Sequence, residues 1–261
     1  MEPTFSEFSY GYAVTEELMN GALGRMIGRP MFPTQREEGR AGGGYDVKML
    51  PKVGVPFFLQ FKRSDYLKRA YSKYWYLFKD YYYRIAVMRS KFSMQQELLI
   101  HLEMLGNDVY YIAPEFYTDD ELTDYYTNKT VFSHSALFSP VDIGHLPDDG
   151  QHYIVFNHDP AGYFCSEKPR QLNKVIKGYE FTELYSKTVE TRSKKIDSEF
   201  FDELIERTLG VLEKSKIKTD YIRQISDISR KSDSLGEKAR FASFLTRAYF
   251  DVELFIVGKP A

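Results

Sequence analysis

Asp46, Gln60 and Lys62 have types and a spacing that could do chemistry. Asp46 lies in the run Tyr45-Asp46-Val47-Lys48-Met49-Leu50, and Gln60 and Lys62 close the run Val55-Pro56-Phe57-Phe58-Leu59-Gln60-Phe61-Lys62. Successive side chains of a strand point to opposite faces, so Gln60 and Lys62 share one face while Leu59 and Phe61 share the other. Two polar side chains on one face of an apolar strand need partners, because a buried polar group left unpaired costs free energy. An aspartate on a neighbouring strand, with a divalent cation between them, is one such partner. A cross-strand salt bridge on a surface-facing strand pair is the plainer alternative.

The elements that must position these residues follow from periodicity and from breakers. Residues 5–23 carry Gly11, Val14, Leu18 and Ala22 at the spacing of one helix face, and Gly24 and Gly28 end the pattern. Residues 30–34 read as a short strand, and residues 35–44, closed by Gly42-Gly43-Gly44, as a loop. Residues 45–50 and 55–62 read as the two strands of a hairpin, joined through Lys52, Val53 and Gly54. Residues 65–79 are aromatic and basic and leave their structure open. Residues 81–88 read as a strand, residues 93–105 as a helix with Ser93 as N-cap, and residues 109–113 as a buried strand halted by Pro114. Residues 152–156 are the clearest strand of the following stretch. Lys/Glu-rich helical periodicity then occupies 180–190, 197–216, 219–230 and 235–250. This order predicts an α/β protein with a mixed central sheet flanked by helices over residues 1–177, and a helical C-terminal region over residues 178–261.

An acidic residue on one strand, followed on the paired strand by (Asp/Glu/Gln)-x-Lys, resembles the PD-(D/E)xK nuclease superfamily; here the pieces are Asp46 and Gln60-Phe61-Lys62. The superfamily core runs helix, three strands, helix, strand, and residues 5–115 match that order with an insertion after the Lys62 strand. The resemblance implies a restriction-endonuclease-like core and Mg²⁺- or Mn²⁺-dependent hydrolysis of phosphodiester bonds, in DNA rather than RNA, with restriction or defence against foreign DNA as the setting. It implies Asp46 as an anionic oxygen ligand, with Gln60 and the Phe61 main-chain carbonyl completing the protein ligands. Lys62 would stand beside the attacking water and neutralise charge on the phosphate. Members often add a carboxylate from the first helix. Of Glu7, Glu16 and Glu17, Glu7 shares the face of Gly11, Val14 and Leu18 and so points at the sheet; a helix N-terminal acid favoured by the macrodipole is its other reading. Position 60 departs from the family, where Glu or Asp is commoner, and the exchange removes a negative charge. A catalytically weakened module of the same fold, holding nucleic acid or a partner protein, is therefore the rival expectation.

Lys68, Arg69 and Lys73 are interleaved with tyrosines, a pattern that stacks nucleobases and neutralises phosphates or else packs as an aromatic insertion. Gln95 is a further candidate for the nucleic-acid surface; a solvated glutamine is the commoner occupant of a helix start. His145, His152 and His158, with Asp148, Asp149 and Asp159 nearby, match no zinc-ligand spacing. Cys165 lacks an oriented base and reads as an inert thiol, and Gly42-Gly43-Gly44 lacks the Lys-Ser/Thr of a phosphate loop. The chain has 261 residues, a net charge of −2 and one cysteine. That charge argues against a protein that coats nucleic acid, and the single cysteine excludes an internal disulfide and fits a cytoplasmic setting. No run is long and apolar enough to span a bilayer, and the start Met1-Glu2-Pro3-Thr4 lacks the pattern of a signal peptide. The charged C-terminal helices read as solvated faces that shape substrate access or mediate association with a second copy or a partner protein.

Overall fold

The computed structural model describes residues 1–23, 51–232 and 234–258. The expected strands at 30–34 and 45–50, the loop between them, and Asp46 lie outside the described residues. In chain order the first half supplies α1 (Glu7–Glu17), β1 (Val53–Phe61), β2 (Asp65–Leu67), α2 (Trp75–Phe78), β3 (Tyr82–Val87), α3 (Gln95–Met104), β4 (Asp108–Pro114), α4 (Asp119–Asn128) and β5 (Ser135–Phe138). It continues with α5 (Pro140–Ile143), β6 (His152–Phe156), β7 (Gly162–Cys165), β8 (Pro169–Gln171) and β9 (Ile176–Lys177). The remainder supplies α6 (Gly178–Arg192), β10 (Lys194–Lys195), α7 (Ser198–Lys214), α8 (Asp220–Arg230), α9 (Leu235–Leu245) and β11 (Glu253–Gly258).

β1 is the centre of a mixed sheet. It runs parallel to β4 and antiparallel to β11 and β10, and the sheet continues through β5 to β9. Phe57, Phe58 and Leu59 pair with β4 on one edge and with β11 on the other. The edge of β1 that a hairpin partner would need is thus taken by β11, from the far end of the chain. Gly54 makes the close approach of β11 feasible, since a Cβ there would lie 2.8 Å from the Val257 carbonyl oxygen. A second sheet, β2-β3-β6-β7-β8, is antiparallel throughout.

Both faces of the first sheet are covered, which explains why β1 reads as a nearly continuous apolar run rather than an alternation. On one face, Phe58 and Tyr111 pack with Ile85 and Ile154 of the second sheet, with Leu99 of α3, and with side chains of α7 and α9. On the other, Phe57, Leu59 and Ile112 pack against Tyr10 and Val14 of α1 and Phe181 and Tyr185 of α6. The two sheets are also joined by a buried ion pair: Lys177, 1% exposed on β9, bonds Glu115, 4% exposed, and the Asn157 carbonyl that follows β6. The expected 93–105 helix begins at Gln95 with Met94 in the N-cap position, and the Ser93 hydroxyl accepts from the Gln95 N–H at 3.1 Å. The architecture is therefore mixed α/β with helices over the sheet and further helices towards the C-terminus. Among the described residues no helix is long and apolar enough to cross a membrane.

Candidate active site at the end of β1

Gln60 is buried because β1 is central. It pairs in register with Tyr111 of β4, so the two share the face that meets α3. The ladder runs one residue past β1, with the Lys62 N–H donating to the Ile112 carbonyl at 2.9 Å. Lys62 thus emerges at the strand end, half-buried, with its Nζ 6.0 Å from the centroid of the Tyr111 ring. Tyr111 donates its hydroxyl to Gln96 at 2.7 Å, and Gln96 donates to the Pro140 and Gly144 carbonyls. Gln96 therefore fixes the start of α3, and that anchor presents its neighbour Gln95 to Gln60.

Gln95, 5% exposed, donates from Nε2 to Gln60 Oε1 at 2.9 Å and to Asp251 Oδ2 at 3.0 Å, with the Phe250 carbonyl at 3.5 Å. Three acceptors around one end of this amide fix which end carries nitrogen. Its oxygen, Oε1, is buried and has no donor among the described residues. Gln60, 2% exposed, donates from Nε2 to Asp251 Oδ2 at 3.2 Å and to its neighbour's carbonyl, Phe61 O, at 3.3 Å. Two buried amides therefore converge on one carboxylate oxygen.

Glu7, on α1 over the opposite face of the sheet, comes within Coulombic reach of Lys62 and Asp251. Gly11 lets α1 lie low over the end of β1: a Cβ there would sit 3.2 Å from the Phe61 ring. Val14 and Leu18 continue that face into the core, as their spacing predicts. Crowding by protein raises the Glu7 pKa above the ordinary 4.5. Lys62 and Arg63 counter that rise, and the charge of Asp251 adds to it.

Of the residues the sequence singles out, Gln60, Lys62, Glu7 and Gln95 come together here. Gln95 is a buried member of the cluster and not the solvated glutamine common at helix starts. Lys68, Arg69 and Lys73 lie along the run from β2 to α2, where Arg69 sits over Tyr71 and Lys73 over Tyr74. The aromatics of that run divide between core and surface, with Tyr74 buried and Tyr71 and Tyr76 exposed. The histidines pair separately: His145 with Glu97, His152 with Asp148 and His158 with Glu115. Among the described residues no three His, Cys, Asp or Glu side chains form a metal-binding group. Burial pushes the Cys165 thiol up to about 12, which leaves it protonated and unreactive.

Sequence reasoning missed Asp251, which lies in the stretch expected to hold only solvated helices. Its signal is the run Val252-Glu253-Leu254-Phe255-Ile256-Val257 closed by Gly258, which has the composition of a buried strand and brings the residue before it to the sheet. Comparison with protein-family models, with curated proteins and with solved structures finds no match to this chain.

Proposed function

We propose that the chain is a divalent-cation-dependent nuclease with a restriction-endonuclease-like core, and that it hydrolyses phosphodiester bonds of DNA at the end of β1. Restriction or defence against foreign DNA is the setting its motif implies. The observation that carries this reading is the buried Gln95 carbonyl without a donor, beside Gln60 and Asp251. An orphaned carbonyl oxygen on a side chain that itself bonds a carboxylate puts two oxygen groups of the kind that suit a hard cation such as Mg²⁺ or Mn²⁺ in one small region. Gln60, Glu7 and Asp46, with the Gln95 carbonyl, are the residues that would hold it. A bound Mg²⁺ supplies positive charge that makes a water more acidic and neutralises the phosphate.

The protein's own contribution rests on Lys62. Its ammonium lies at the strand end beside the Tyr111 ring, within Coulombic reach of Glu7, where it would face an anionic substrate. Hydrolysis adds water to phosphorus and breaks one P–O bond, which yields a phosphate monoester and an alcohol. Negative charge grows on the phosphoryl oxygens along the way, and an ammonium beside them stabilises that charge more than it stabilises the bound ground state. Gln96 and Tyr111 keep the surrounding side chains in place.

The test is cleavage of plasmid DNA and of RNA in Mg²⁺ or Mn²⁺ by the wild type and by Lys62→Ala. Removal of one preorganised charge of this kind lowers the rate by about 10²–10³-fold, while DNA affinity falls far less. Cleavage by Lys62→Ala at the wild-type rate, with contaminating nuclease excluded, would refute the reading. A wild type that binds DNA and cuts it in neither cation would favour the rival, a binding module weakened by glutamine at position 60.

A further inference from the structure

We infer that Asp251 is a carboxylate ligand of the cation site, so that the C-terminal segment completes a centre otherwise built from residues before position 96. The inference rests on the cation-dependent reading above and adds to it a ligand that lies outside the motif-bearing half of the chain.

Topology makes the contribution feasible. α9 ends in a π-helical turn, Thr246–Phe250, and Asp251 follows in the left-handed region with φ 55° and ψ 41°. The chain then enters β11, whose pairing with β1 starts at Glu253 opposite Leu59. That register delivers Asp251 to the same end of β1 from which Gln60 and Lys62 project. Glycine is the default residue where a helix ends in a left-handed turn, because it meets no steric penalty there. Aspartate is among the residues that tolerate this region, and here its side chain is directed into the cluster.

The contacts of that side chain describe the use. Both buried amides donate to the same oxygen, Oδ2, so neither engages Oδ1. The amides hold the carboxylate in one orientation without neutralising its charge. The Gln95 side chain that bonds it carries a donor-free carbonyl, and the Glu7 carboxylate lies within Coulombic reach. Glu7 and Asp251 repel each other, and the buried Gln95 oxygen lacks a donor; a hard divalent cation bound there would relieve both conditions. Carboxylate and amide oxygens are hard donors, which suit the Mg²⁺/Mn²⁺ class better than zinc.

The experiment is titration of the full chain with Mn²⁺ alone, by calorimetry and by the loss of the free-ion paramagnetic signal, for wild type, Asp251→Asn and Lys62→Ala. Asparagine adopts the left-handed region as readily as aspartate and keeps a carbonyl to accept from the two glutamines, so the fold should persist. Asp251→Asn is expected to bind Mn²⁺ at least about tenfold more weakly and to lose the rise in urea midpoint that Mn²⁺ gives the wild type. Its midpoint in EDTA should stay close to wild type. Lys62→Ala should keep Mn²⁺ affinity and lose cleavage, which separates the ligand assignment from the nuclease reading. Wild-type Mn²⁺ affinity in Asp251→Asn would reduce Asp251 to a helix cap and refute the inference while leaving the nuclease reading intact. A wild type that binds no Mn²⁺ would end both. If Asp251→Asn unfolds, Asp251→Gly, which relaxes in the same backbone conformation, is measured in its place and carries the same two outcomes.

Discussion

Replacing Gln95 by leucine should leave the cation-free fold nearly as stable as wild type and abolish cation binding. A buried glutamine in a hydrogen-bonded cluster would ordinarily be costly to remove, so the contributions need to be set side by side. The substitution deletes the donor to Gln60 Oε1, which is buried, and an unsatisfied buried acceptor costs about 1–3 kcal/mol. It also deletes one donor to Asp251, but that residue is exposed and keeps its bond from Gln60, so water replaces most of this loss. Against these losses, the substitution removes Gln95 Oε1, which is itself buried without a donor and carries a similar penalty of about 1–3 kcal/mol. The two penalties largely cancel, and leucine is close to glutamine in length, so the net change should lie within about 1.5 kcal/mol of zero. Urea denaturation in EDTA measures it. Under Mn²⁺ at a hundred times its dissociation constant the wild type should gain about 2.7 kcal/mol by mass action, and Gln95→Leu should gain nothing. A loss above about 4 kcal/mol in EDTA, or an undiminished response to Mn²⁺, would refute the view that the Gln95 carbonyl stands ready for a cation.

Gln60→Glu should gain Mn²⁺ affinity and retain or raise cleavage, because it restores an anionic ligand. Without cation it should be less stable by about 2–3 kcal/mol, since a carboxylate then faces Asp251 where Nε2 now donates; equal urea midpoints in EDTA would contradict this. The raised pKa of Glu7 means that its proton returns, as pH falls, before an ordinary carboxylate would take one, so Mn²⁺ affinity should begin to fall above pH 4.5 and Glu7→Gln should flatten that slope. The same raised pKa means that, in EDTA, the ionised Glu7 detracts from stability once pH rises through its folded pKa. Glu7→Gln should therefore be no less stable than wild type at neutral pH, and a clear destabilisation would show the sign to be wrong. Lys177→Met leaves the buried Glu115 only the more distant His158 and should cost about 3–5 kcal/mol in urea denaturation. Adding Glu115→Gln should recover much of that loss, and a single substitution that costs under about 1 kcal/mol would refute the pairing's structural role.

Much of this fold was legible because its elements carry strong local signals. The helix face at Gly11, Val14 and Leu18, the strand His152–Phe156, and the periodic helices after residue 178 need no tertiary information. β1 was legible as a strand, but its partners were not. A continuous apolar run says that both faces are buried and says nothing of which strands lie beside it. Nearness in sequence favoured a hairpin, whereas the register is set by Val55, Phe57 and Leu59 meeting Val257, Phe255 and Glu253 from the other end of the chain. The site divides along the same line. Gln60 and Lys62 are visible because two polar residues interrupt an apolar strand, and Glu7 because helical spacing turns it towards that strand. Gln95 looks like an ordinary helix-start residue until Gln96 is seen to anchor the helix beneath it. Asp251 becomes a site residue only through long-range pairing of β11 with β1.

The most direct test of the central claim is the anomalous difference map of a crystal of the full chain grown with Mn²⁺. One peak is expected at the C-terminal end of β1, at metal–oxygen bonding distance from Asp251 and from Asp46 or Glu7, with Gln60 and Gln95 beside it and Lys62 bordering the same space. A map without a peak there, or with Mn²⁺ only at His145 and Glu97 or on the exposed acids of α4, would contradict a cation centre at the end of β1.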